Sequence, residues 1–132
     1  YTIYNEPVRH PLLRLYALHV VEPLDVRAMN EAAAELVGEH DFAAFGLPTK
    51  GEITVRRMLR AECRAELRLI RVELEASGFL YRMVRSIVGT LAAVGRSQLT
   101  PREFRLVLES RDRSRAGATA LPCGLCLTRV KY

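Results

Sequence analysis

The sequence has no run of about eighteen apolar residues, which excludes a membrane-spanning helix, and no charged-then-apolar leader at its front. A cytoplasmic protein with no membrane partner is therefore the expectation. No serine stands in a pattern with histidine and aspartate, no glycine-rich loop is built for phosphate, and no pair of carboxylates declares a role by position. Spacing alone thus assembles no catalytic set and asks for no cofactor. Cysteine is also scarce. Cys123 and Cys126 form a CGLC, but a structural zinc site needs four ligands, and Cys63 with the scattered His10, His19 and His40 supplies no second paired spacing. The pair follows Pro122 and runs into the alternating LCLTRVKY, so it reads as two thiols at the start of a terminal strand, and no metal is expected. Lysine is scarce as well: arginine supplies all but two of the twenty basic side chains, against fifteen acids. Arginine forks onto phosphates and stacks on bases, so a net charge of +5 built this way favours an anionic partner, nucleic acid first. Codon usage alone accounts for the same bias, and the support is mild.

What is present is enough for one domain with a real core: 132 residues, 49% of them apolar and 27% charged. The chain begins at Tyr1 and not at a methionine, inside what reads as a strand, TIYN, so a fragment is expected. A second extended run is predicted over Leu12 to Val21. Asp25 then caps a helix from Val26 to about Gly38, with Met29, Ala32, Ala33 and Leu36 inward. EHDFAAFGLPTKG reads as a loop that Asp41 ties down through backbone amides. Its Phe42 and Phe45 either plug the end of a core or stack on bases. Glu52 to Cys63 and Glu66 to Ala76 read as two strands about a turn at Arg64 and Ala65, with Ile70, Val72, Leu74 and Ala76 on one face. Thr100 caps a helix from Pro101 to Ser110 whose Phe104, Val107 and Leu108 point inward. A loop of small residues leads to a last strand, Leu125 to Tyr132. The predicted architecture is α+β, an antiparallel sheet with helices packed on one face.

The longest predicted helix, Gly78 to Arg96, organises the rest. At a period of 3.6, Leu80, Val84, Ile87, Val88, Leu91 and Val94 make one stripe for burial. Along its border lie Arg85, Gly89, Ala92 and Arg96, with Arg82 further round. The border is cationic and sterically bare, so another backbone or a nucleotide can approach it closely. Arg85 at that edge can pack its stem while its guanidinium faces a cleft, where it could fork onto a carboxylate or phosphate; on spacing alone, a core helix with an ordinary solvated basic flank is the alternative.

FLYRMVRSIVGTLAAVGR, then RDRSRAGATA, then GLCLTRVKY, closely resemble the C-terminal half of the tRNA pseudouridine synthase A family; YTIYN, HDFAAF and TVRRM agree in order. The resemblance implies a pseudouridine synthase fold, of which this chain is the ferredoxin-like C-terminal half and a single domain. It implies isomerisation of uridine to pseudouridine in the anticodon stem and loop of tRNA, without cofactor or metal, by a homodimer. The catalytic aspartate of the family belongs to an N-terminal half, and no such motif occurs here. The base-contacting tyrosine belongs two residues before Tyr1. Arg85 matches the arginine that pairs with that aspartate, and Leu125 the apolar residue that covers the flipped base. Arg56, Arg82, Arg96 and Arg113 are then candidates for the tRNA backbone. Cys126 and Leu121 depart from the family's usual aromatic and proline. A free-standing RNA-binding module without catalysis is the alternative reading.

Overall fold

The computed structural model describes residues 1–13, 15–48, 51 and 53–128. The helical layer grows from two caps. The Asp25 carboxylate accepts from the Ala28 N–H at 3.1 Å, which meets one of the first unpaired donors of α1 (Val26–Ala34). Thr100 and Glu103 form a reciprocal capping box with Pro101 in the first turn, and α3 (Pro101–Ser110) follows. Between them, α2 (Met83–Gly95) is shorter than the predicted span. Its start is delayed because Tyr81 exchanges both backbone hydrogen bonds with Leu47, and Arg82 takes a left-handed φ of 61°. Burial also extends well beyond the predicted stripe, to Ser86, Thr90, Ala92, Ala93 and Gly95, so α2 is the central helix and not a one-sided one.

The sheet runs β2-β1-β5-β4-β3. Here β1 is Thr2–Asn5, β2 Leu18–Val20, β3 Gly38–Asp41, β4 Val55–Glu66 and β5 Leu69–Ala76. It is mostly antiparallel, as predicted, with one parallel pair: β1 and β2 run in parallel, and every other pair is antiparallel. Parallel neighbours need a crossover, and the predicted run over 12–21 shortens to Leu18–Val20 for that reason. Tyr16 and Ala17 turn back to donate to the Leu13 carbonyl, while Arg14 lies outside the described residues. Helix α1 ends before Gly38, whose φ of 111° opens the short edge strand β3 inside what reads as loop. The β4–β5 turn falls at Leu67 and Arg68, three residues later than predicted, since Arg64, Ala65 and Glu66 are paired with Arg71, Ile70 and Leu69. Glu52, the predicted start of β4, is outside the described residues, and the strand begins at Val55. A bulge between Met58 and Arg60 shifts the alternation, so Met58, Ala61 and Cys63 all face inward.

The predicted final strand is corrected too. Pro122–Gly124 is a single 3-10 turn, and Leu125 to Thr128 carry no strand; residues 129–132 of the predicted strand lie outside the described residues. Cys123 and Cys126 therefore sit in a turn and the loop after it.

The core lies between the helices and the sheet face bearing Ile3, Met58, Cys63, Ile70 and Val72. Phe42 and Phe45 are in it, Phe45 stacked on Phe104 at 5.6 Å, which decides for the plug over base stacking. Asp41 holds the Ala43 N–H at 3.0 Å and the Thr54 hydroxyl at 2.6 Å. The other sheet face is ionic. Arg64 reaches Glu66 at 2.9 Å and Glu73 at 2.7 Å, Arg71 reaches Glu66 at 2.7 Å, and Arg60 also meets Glu73. Exposed pairs of this kind are screened by solvent and add little, so the apolar face sets stability.

Burial pushes the Cys63 thiol up to about 12, whereas Cys126 is exposed. Alkylation of the native protein at pH 8 followed by mass spectrometry is expected to label Cys126 and spare Cys63 until denaturant is added. A Cys63 that labels as fast as Cys126 would contradict the packing. Because the unfolded thiol ionises near 9, this residue's contribution to stability is intact below pH 9 and declines as pH rises towards 12.

Candidate functional site

The bare border of α2 is occupied by the chain itself. Residues 116–120 run antiparallel along it as a strap: Gly117 N–H donates to Thr90 Oγ1 at 2.9 Å, and Ala120 N–H donates to the Arg85 carbonyl at 3.0 Å. A Cβ on Gly89 would stand 1.7 Å from the Ala118 carbonyl oxygen, so only glycine admits this contact. Of the two visitors the sequence allowed, backbone or nucleotide, the place beside Gly89 is taken by backbone.

The strap fixes Arg85. Its Nε donates to the Ala120 carbonyl at 2.7 Å, the side chain is half-buried, and no carboxylate among the described residues pairs with it. After Ala120 the chain crosses the start of β1. Tyr1 donates its hydroxyl to the Leu121 carbonyl, and its ring lies where a Cβ on Gly124 would come within 2.6 Å. Burial pushes the Tyr1 phenol up to about 12, with Arg85 close enough to oppose that rise. Leu125 follows, its N–H bound to the Pro122 carbonyl at 3.0 Å and its side chain 45% exposed. It borders a cavity of about 420 Å³ whose wall includes Thr2, Tyr16, Leu69, Arg71 and Cys123.

Arg85 and Leu125 thus belong to one locality, joined through residues 120–125. Arg82 is a turn earlier, exposed, its guanidinium 5.4 Å over the Tyr81 ring. Arg56 lies on β4, bonded to the Val55 and Ile53 carbonyls at 2.8 and 3.2 Å, beside Gly78. Arg96 is not brought into the group: it ends α2, roughly 16 Å along the axis from Arg85 at 1.5 Å per residue, and faces Glu22 at 3.6 Å. Arg113 stands exposed on a separate 3-10 turn capped by Asp112, whose carboxyl is held low by the Ser114 hydroxyl and N–H. Sequence reasoning passed over Tyr1, Thr90, Gly117 and Gly124. The signal was there in two halves, a bare helix border and a loop of small residues, which fit one against the other.

The arrangement offers a fixed cation and an apolar side chain at the edge of a cavity, and among the described residues there is no acid for the cation to act on. Among the described residues no three His, Cys, Asp or Glu side chains gather to hold a metal ion, and no helix is long and apolar enough to cross a membrane.

Comparison with known proteins identifies the setting. The profile of a family described as tRNA pseudouridine synthase matches residues 32–132. The chain is 47% identical over its whole length to tRNA pseudouridine synthase A of Pelobacter propionicus, covering 54% of that protein. The tRNA pseudouridine synthases A of Geotalea uraniireducens and Caldicellulosiruptor bescii are 44% and 41% identical to it, again over all of this chain and 54% of each relative. The chain spans about half the length of the curated relatives it matches.

Proposed function

Since the chain belongs to the tRNA pseudouridine synthase family, we propose that it is a single-domain, C-terminal part of the catalytic unit of an enzyme that isomerises uridine to pseudouridine in the anticodon stem and loop of tRNA. The nucleophilic aspartate comes from the N-terminal half that the longer relatives possess. The observation that carries this reading is Arg85: one edge of its guanidinium is held by the Ala120 carbonyl, and no carboxylate among the described residues takes the rest. A fixed cation within about 4 Å lowers a carboxylate's pKa and keeps it ionised, which a nucleophile needs at neutral pH. Leu125, beyond the turn that follows the strap, covers the flipped base, keeping water from the reacting ring. A cytoplasmic homodimer acting on tRNA completes the proposal.

The test is tritium release from tRNA labelled at C5 of uridine, using the full-length gene product. Release is expected. Its absence, with tRNA binding intact, favours the reading as a binding module.

Arg56 and Arg82 are proposed to hold the tRNA backbone. Arg82→Ala in the full-length protein is expected to weaken tRNA binding and reduce the slope of log affinity against log salt by about one. Arg96→Ala, which removes a cation already facing Glu22, is expected to change the slope less. Equal slopes for the two variants would contradict this division, and Arg113, which has no ion pair among the described residues, is expected to follow Arg82.

A further inference from the structure

We propose that Thr90 is a positioning residue for the reaction, acting through Arg85; the inference rests on the function proposed above. Thr90 is fully buried, and its single hydroxyl makes two bonds. It donates to the Ser86 carbonyl at 2.8 Å, as threonines in helices often do, and that commits its proton. The oxygen still accepts on the side facing the strap, where the Gly117 N–H donates to it at 2.9 Å. Without this oxygen, that N–H would face the helix without an acceptor, at a cost comparable to a lost hydrogen bond.

The consequence for Arg85 follows from where the strap is held. At one end it is tied to Thr90 and at the other to Arg85, by Ala120 N–H to the Arg85 carbonyl and Arg85 Nε to the Ala120 carbonyl. Between the ties it lies on the helix backbone itself. A Cβ on Gly117 would meet Thr90 Cα at 3.1 Å, and one on Gly89 would overlap Ala118. The acceptor that orients the guanidinium is therefore carried by a segment whose register on α2 is set five residues away. Releasing the Thr90 tie leaves the strap held at the Arg85 end alone, so the carbonyl that orients the guanidinium is less firmly fixed. The cation stays in the site but loses its aim, which affects the chemical step and not the contacts that bind tRNA.

The experiment uses the full-length enzyme and two variants. Thr90→Val keeps the shape and removes the hydroxyl; Thr90→Ser keeps the hydroxyl and removes the methyl. Single-turnover rate, tRNA affinity and thermal melting are measured for each. The expected result is a rate about tenfold or more below wild type for Thr90→Val with affinity within about twofold, and recovery to within about threefold for Thr90→Ser. In an Arg85→Lys background the Val substitution is expected to add less than about threefold, because both act on one group. A Thr90→Val enzyme with wild-type rate overturns the proposal, as does a loss that disappears once the unfolded fraction is taken into account. Should Thr90→Val fail to fold, Thr90→Ser decides alone, and a tenfold loss there overturns it. Wild-type enzyme without tritium release fails the functional reading itself; active wild type with an indifferent Thr90→Val fails only the positioning role.

Discussion

Gly89→Ala in the full-length protein is expected to lower the melting temperature by roughly 5 °C or more and to reduce turnover by about a hundredfold. Two effects of opposite sign compete. Alanine is the better helix former by about 1 kcal/mol, which favours the variant if the border of α2 is open. The border is closed, though: the new methyl would lie 1.7 Å from a backbone oxygen and 2.9 Å from its carbon. Backbone cannot rotate aside as a side chain does, so the strap must move by more than about an ångström or the helix must bend, and overpacking of this kind costs about 1–3 kcal/mol or more. Sterics therefore win. Because the displaced segment carries the acceptor for Arg85 and leads into Leu125, activity is expected to fall further than the folded fraction. Melting curves and single-turnover rates measured below the transition separate the two losses. A variant more stable than wild type would show that the strap does not lie on the helix.

Arg85→Ala is expected to lower turnover by about a thousandfold or more while tRNA affinity changes by no more than a few-fold. The guanidinium is half-buried and one of its edges is already spent on Ala120, which suits it to orient a single acid and makes it a poor phosphate ligand. Arg85→Lys keeps the charge but not the fork, and is expected to recover only part of the rate. The truncation leaves the main-chain bond from Ala120 to residue 85 in place, so gross displacement of the strap is not the cause of the loss. Binding isotherms beside single-turnover kinetics check this. Equal losses in both would return Arg85 to the set of phosphate contacts.

Local signals were read well from sequence because their cause is local. Asp25 and Thr100 announce α1 and α3 by a side chain that meets nearby N–H groups, and the alternation through β5 reports a sheet with one covered face. The wheel also put Arg85 at the lip of the buried face, where the side chain is found. What failed depends on distant partners. Nothing in GEHD says strand until β4 lies beside it, and three residues of β2 carry too little pattern to reveal a parallel neighbour. Leu67 accepts a left-handed turn because the hairpin register requires it, although leucine has no preference for one. The delayed start of α2 has the same origin, in the exchange between Tyr81 and Leu47. The strap is the most telling case. Composition marked Gly89 as a place of close approach, but which chain approaches is a tertiary fact.

The ionic face of the sheet bears on how the protein meets a polyanion. Arg60, Arg64 and Arg71 are engaged by Glu66 and Glu73, so that surface is close to self-neutralised and attracts few counterions of its own. A nucleic acid approaching from that side would displace internal partners and gain little release of condensed salt in return. Any long-range pull on a polyanion thus comes from fewer arginines than composition suggests.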